Sequence, residues 1–262
     1  LPLMFKKSLS QHILREKNIL KKMLHRTNIT KKDVVVEIGA GTGELTLLLK
    51  DMADLVYAIE IDRSFSTYLD EIARKNENVK VIYDDFLKID LKRFMSNDPL
   101  KVIGNIPYGI TGPILFKIFG ERKYIDSAFL LLQREVAERM TAKPESRSYG
   151  SLSVITQMIA DVRIELLVPK ELFIPKPKVE SAFVSLFFKE ESKSVSLPFF
   201  EFVRRCFRHK RKLLLNSLKS SYPMPLIESL FAKANLERRV RAEEIPPDKF
   251  LEMFYIIGGE GG

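Results

Sequence analysis

From Val34 the chain reads Val34-Val35-Val36-Glu37-Ile38-Gly39-Ala40-Gly41-Thr42-Gly43-Glu44. The first five residues are β-branched apart from one acid, the pattern of a short strand buried on both faces. Three glycines at alternate positions follow, where the backbone can turn tightly and come close to a ligand. A helical pattern then runs from Glu44 to about Lys50. Strand, glycine loop and helix in that order open a doubly wound sheet, whose ligand crevice lies at the carboxyl ends of its strands.

The alternation continues beyond this unit. Leu55–Ile61, Val79–Tyr83, Leu100–Ile103 and Ser127–Leu132 read as strands, and Phe65–Lys75, Pro113–Phe119 and Arg134–Thr141 as helices. Strands each followed by a helix predict a parallel sheet covered on both sides. Val162–Val168 and Ala182–Lys189 are two later strands. Between them lies Leu172-Phe173-Ile174-Pro175-Lys176-Pro177-Lys178, whose prolines exclude a regular helix or a central strand. Glu190–Pro198 is polar, a linker by composition, and from Phe199 the patterns are helical, with turns at Tyr222-Pro223 and Ile245-Pro246-Pro247. The class expected is α/β, with one domain over 1–190, including a basic N-terminal leader, and a small all-helical domain over 191–262.

The formal net charge of +9 is unevenly placed. Residues 1–32 hold nine Lys/Arg against one acid, residues 33–191 hold 21 against 25, and residues 192–262 hold 13 against eight. A mildly acidic centre between two basic ends suits chemistry in the middle and a polyanion gripped at the flanks. The single cysteine, Cys206, excludes an internal disulfide, and neither a bilayer-length apolar run nor a signal peptide is present. A cytoplasmic protein, acting as a monomer without membrane attachment, is the expectation.

The glycine spacing is Gly-x-Gly-x-Gly, which departs from the dinucleotide pattern Gly-x-Gly-x-x-Gly at its last position. Glu60 ends the second strand, where a carboxylate can accept both ribose hydroxyls, with Ile61 next to it. Asp85 follows the third strand, where it can meet the exocyclic amine of an adenine, with Phe86 next to it. A nucleoside cofactor lacking a pyrophosphate fits these features better than NAD. Asn105-Ile106-Pro107-Tyr108 follows the fourth strand, at the same sheet edge. An Asn side-chain oxygen and a backbone carbonyl near Pro107 could accept the two hydrogens of a planar amine and aim its lone pair. Tyr108 offers a ring to stack on a base, and a base taken out of RNA calls for a second aromatic on its other face. Phe173 is the candidate, although it could equally be a core residue, just as Asn105–Tyr108 could be a plain turn.

These residues resemble the ribosomal RNA adenine dimethyltransferases, in particular their bacterial small-subunit branch. The likeness runs through Lys6–Leu14, Glu37–Thr46, Gly104–Tyr108, Leu132–Arg139, Ser148–Ser153, Pro175–Ala182 and Phe207–Lys212. It departs at Ser10, Ile13, Asp84 and Gly109, where the family usually has Gly, Phe, Gly and Asn. The resemblance implies a Rossmann-like S-adenosylmethionine-dependent methyltransferase domain with a small C-terminal helical domain. It implies S-adenosyl-L-methionine as methyl donor and no metal. It further implies cofactor contacts from His12, Leu14, Gly39, Gly41, Glu60, Ile61, Asp85, Phe86 and Asn105, and a target-adenine site of Asn105, Pro107, Tyr108 and Phe173. The implied substrate is a pair of adjacent adenines in the hairpin loop near the 3′ end of 16S rRNA, in the small ribosomal subunit or its precursor, with a role in ribosome biogenesis. Clustering in basic segments makes Arg134, Arg139, Lys143, Arg147, Arg208, Lys210, Arg211 and Lys212 the candidate RNA contacts. The competing readings are a large-subunit rRNA dimethyltransferase, a non-catalytic RNA-binding factor on the same fold, and a NAD-dependent dehydrogenase.

Overall fold

A computed structural model describes residues 12–95, 98–209 and 212–259. β1 (Ile13–Leu14) and α1 (Lys17–Leu24) precede β2 (Val34–Ile38), which is buried at every position. Then come α2 (Thr46–Leu49), β3 (Leu55–Ile59), α3 (Ser66–Lys75), β4 (Val79–Ile82), β5 (Leu100–Asn105), α4 (Thr111–Glu121), β6 (Ile125–Gln133) and α5 (Arg134–Met140). α6 (Ser151–Ile159), β7 (Ala160–Val168), β8 (Phe173–Ile174) and β9 (Ser181–Phe188) follow, and then α7 (Leu197–Cys206), α8 (Leu214–Leu218), α9 (Met224–Lys233) and α10 (Pro247–Gly259).

The main sheet has the order β4-β3-β2-β5-β6-β9-β7. β2 lies between β3 and β5, parallel to both, and β5 is parallel to β6, so these strands end along one edge. The order reverses at β2, which places the crevice between the ends of β2 and β5. The strands expected to be parallel are so, and β9, for which the sequence set no direction, runs antiparallel on β6 from Ser127↔Phe187 to Gln133↔Ser181. The reason is local: the Arg134 N–H donates to the Glu180 carbonyl (3.0 Å), so the chain is already at the carboxyl edge when β9 begins.

The chain divides into two compact units. One runs to Ala137 and resumes over Arg163–Phe188; the other takes Glu138–Val162 and the described chain from Lys189 on. A single cut near residue 190 therefore differs from what is found. Residues 138–162 go with the C-terminal part because its contacts tie them there: the buried Tyr149 hydroxyl donates to the Ile245 carbonyl (2.7 Å) and the Glu145 N–H to the Glu243 carbonyl (2.8 Å). Among the described residues no helix is long and apolar enough to cross a membrane, and no group of three or more His, Cys, Asp or Glu is placed to hold a metal ion.

Candidate active site

Gly39, Gly41 and Gly43 carry the chain out of β2 with φ of 71°, 56° and 84°. This is the left-handed region, which side chains disfavour. The Gly39 and Ala40 N–H groups both donate to the Ile59 carbonyl (2.9 and 3.1 Å), pinning the loop over the end of β3. Glu60, 5% exposed, accepts the Gly41 N–H on Oε2 and the Asp62 N–H on Oε1, each at 2.8 Å. Burial pushes its carboxyl up from the ordinary value against the pull of those N–H groups. Asp85 opens the turn after β4, its Oδ1 accepting the Leu87 N–H (3.0 Å).

At the end of β5, the Asn105 Nδ2 donates to the His12 carbonyl (2.6 Å). Only the amide nitrogen can make that bond, so the side-chain oxygen is turned away from it and left as an acceptor. The Pro107 carbonyl takes the Ile110 N–H and the Thr111 hydroxyl, both at 3.2 Å. The Ile106 carbonyl has no donor among the described residues. The Tyr108 ring lies 5.2 Å from the His12 ring at 35°, and its hydroxyl is 2.5 Å from the Ser181 hydroxyl. The His12 Nδ1 bonds the Pro175 carbonyl (2.7 Å), where it must be the donor.

His12, Gly39, Gly41, Glu60, Ile61, Asp85, Phe86, Asn105, Pro107 and Tyr108 line one cavity of about 240 Å³. The sequence assigned every one of these to the site. Leu14 and Phe173 do not reach this cavity. Leu14 is 4% exposed and Phe173 2%; they face one another in the β1–β8 pairing and pack into the core with Leu20, Met23 and Phe183. Phe173 is thus corrected from a base-stacking ring to a core residue, because the apolar surface it would offer a base is already spent on Leu14 and its neighbours.

Sequence reasoning missed Ile38, Ile59, Phe65, Asp84 and Ile110 on the cavity wall. Of these, Ile38, Ile59 and Asp84 carry a signal, since each directly precedes a residue already singled out, Gly39, Glu60 and Asp85. It also missed the polar role of Ser181, which gives no signal beyond being a serine at the start of an apolar strand. Of the proposed RNA contacts, Arg134, Arg139, Lys143, Arg147, Arg208 and Lys212 are exposed, and Lys210 and Arg211 lie outside the described residues. Arg134 is paired with Glu180 (2.8 Å), and Arg208 donates to the Ser220 hydroxyl (2.9 Å).

Glu37, buried beneath the glycine loop, accepts the Thr46 hydroxyl at 2.6 Å. Burial, helped by the charge of Glu60, pushes its carboxyl up from 4.5 to about 8. Between these values the folded chain keeps a proton that the unfolded chain has lost, so stability declines as pH rises through the window. Glu37→Gln should remove most of that decline. The check is thermal unfolding of both proteins from pH 4.5 to pH 8; midpoints that stay parallel would reject it.

An α/β fold with a glycine loop, two carboxylates and an Asn-x-Pro-Tyr turn at one sheet edge defines a nucleoside-binding enzyme of the Rossmann-like methyltransferase kind. The chain matches the ribosomal RNA adenine dimethylase family over residues 3–258. The ribosomal RNA small subunit methyltransferase A of Mycoplasma mobile is 38% identical over 253 residues, covering 96% of this chain and 97% of its own. A solved dimethyladenosine transferase from Plasmodium falciparum superposes with a TM-score of 0.83 at 27% identity, over 95% of this chain and 98% of its own. The 23S rRNA methyltransferase ErmE gives 0.69 at 25% identity, over 94% and 99%. This chain belongs to the ribosomal RNA adenine dimethylase family.

Proposed function

We propose that this chain transfers methyl groups from S-adenosyl-L-methionine to the N6 amines of two adjacent adenines. These lie in the hairpin loop near the 3′ end of 16S rRNA, within the small ribosomal subunit or its precursor in the cytoplasm. The carrying observation is the Asn105 amide, fixed by its bond to the His12 carbonyl so that its oxygen is left as an acceptor in the cavity that Glu60 and Asp85 also line.

The residues present suit the donor. Glu60 is a buried carboxylate with no cation paired to it among the described residues, able to accept ribose hydroxyls. Asp85 has a second oxygen for an exocyclic amine, Ile61 and Phe86 supply apolar walls, and Gly39 and Gly41 line the cavity without adding a side chain to it. When bound, S-adenosylmethionine supplies an electrophilic methyl group. The chain supplies position. In the first transfer the Asn105 Oδ1 and the Ile106 carbonyl accept the two N6 hydrogens, and in the second one of them accepts the hydrogen that remains, which draws the nitrogen lone pair out of the adenine ring and aims it. Tyr108 stacks on the base and holds it out of the RNA. The proton lost after each transfer needs no strong base, because the nitrogen is positively charged, and so acidic, until that proton leaves to solvent.

Glu60→Ala should weaken S-adenosylmethionine binding by about 10- to 100-fold, the size expected when hydrogen bonds to a buried charged group are removed. Calorimetry on the free protein measures this without turnover, and an unchanged affinity would remove Glu60 from the cofactor site. The basic side chains are proposed to grip phosphate. Replacing Arg208 by alanine should shallow the slope of log affinity against log salt by about 0.7–0.9. A slope equal to that of the unaltered protein would take Arg208 off the RNA surface.

A further inference from the structure

We infer that Ser181 is a positioning residue for the target base: its buried hydroxyl tethers the Tyr108 hydroxyl and so fixes the plane on which the adenine stacks. The inference rests on the proposed reading of the cavity and deepens it.

Topology brings the serine there. β9 runs antiparallel to β6, so it starts at the edge where the parallel strands end, and Ser181 faces Gln133, the last residue of β6. Two positions earlier on β6, Leu131 faces Asn105, the last residue of β5. The one antiparallel neighbour of β6 thus delivers its first side chain to the level of the Asn105–Tyr108 turn.

Ser181 is fully buried, and its hydroxyl meets the Tyr108 hydroxyl at 2.5 Å. A serine hydroxyl with no water access is costly unless paired, and so is a half-buried phenol. No other side-chain hydrogen bond involves either hydroxyl among the described residues. An alanine and a phenylalanine would fill the same space without any such requirement, so what the polar pair adds is direction. The Tyr108 backbone is held by the Thr111 hydroxyl on its carbonyl (3.3 Å), but the ring tip lies two torsions further out. Its other close neighbour, the His12 ring, is a tilted contact at 5.2 Å that permits sliding. The hydroxyl pair is the directional restraint on the ring. A ring that rocks carries the base with it, and the N6 lone pair then leaves its line to the methyl group.

The test compares Ser181→Ala, Tyr108→Phe and the double variant on small subunits lacking the modification, with S-adenosylmethionine affinity measured alongside by calorimetry. Ser181→Ala should lower kcat by about tenfold, the cost of losing one buried hydrogen bond at the reacting geometry. KM for the subunits and cofactor affinity should stay within about twofold of the unaltered protein, since neither depends on the ring's tilt. Tyr108→Phe should cost the same, and the double variant no more than either single one. Ser181→Thr, which keeps a hydroxyl on the strand, should recover most of the loss. Full kcat in Ser181→Ala, or a double variant whose loss is the product of the two single losses, would overturn the tether. If Ser181→Ala fails to fold, Tyr108→Phe carries the test alone, and full kcat there overturns it. Unaltered protein that methylates no adenine would overturn the proposed function and this inference together; an active unaltered protein with an equally active Ser181→Ala overturns only the inference.

Discussion

Asn105→Ala is expected to lower kcat/KM for methyl transfer by about 10²- to 10³-fold, the loss typical when one preorganised hydrogen-bonding group is taken from a reacting centre. RNA affinity should be unaltered, because phosphate contacts carry it. The size of the effect follows from what the N6 amine needs. Its lone pair is shared with the adenine ring, and attack requires that pair to be localised and directed. The Asn105 oxygen can do this because the other end of the amide is held on the His12 carbonyl at 2.6 Å. The same geometry predicts that Asn105→Asp fares no better. An aspartate has two acceptors, but one would face the His12 carbonyl with no proton between them, so the side chain would turn away. Single-turnover rates with saturating S-adenosylmethionine measure both variants. An Asn105→Asp protein as active as the unaltered one would show that the bond to His12 does not orient the group.

Gly104→Ala is expected to destabilise the fold by about 3 kcal/mol or more, in the range of overpacking against immobile neighbours. Gly104 faces Ile38 in the pairing of β5 with β2. A methyl group there would lie 2.5 Å from the Ile38 carbonyl oxygen and 2.9 Å from its Cβ. Both belong to or adjoin the backbone of the buried strand that leads into the glycine loop, so relief requires β2 and β5 to separate. That would move the loop away from Asn105 and open the cavity at its floor. Denaturant unfolding should show a lower midpoint and calorimetry a lost cofactor site. A variant with the original midpoint would mean that the two strands can part without cost.

Much of the framework is legible in the chain because the parallel strands are short, β-branched and buried on both faces, a pattern that neither exposed loops nor amphipathic helices share. Val34–Ile38 is the clearest case, with the glycine loop marking its end. The polar site residues are legible for a related reason: Glu60 and Asp85 follow strands and Asn105 ends one, and strand ends along one edge converge. What the sequence hides is pairing between distant segments. Phe173 is apolar and suits a core or a base equally well; only its pairing with Leu14 selects the core. Ser181 looks like any serine until β9 is laid antiparallel on β6. Ser151–Ile159 holds several β-branched residues and shows no clean periodicity, yet forms α6, because its buried residues Val154, Ile155 and Ile159 serve the core of the second unit. The direction of the last strands is likewise not legible, since it depends on where the preceding loop delivers the chain.

The proposed activity is tested most directly by incubating the protein with S-adenosylmethionine and small ribosomal subunits that lack the modification, with large subunits in parallel. The RNA is then digested to nucleosides and their masses are measured. The site described above predicts N6,N6-dimethyladenosine from small subunits and none from large ones. Dimethyladenosine from large subunits alone, or unmodified adenosine from both, would contradict it.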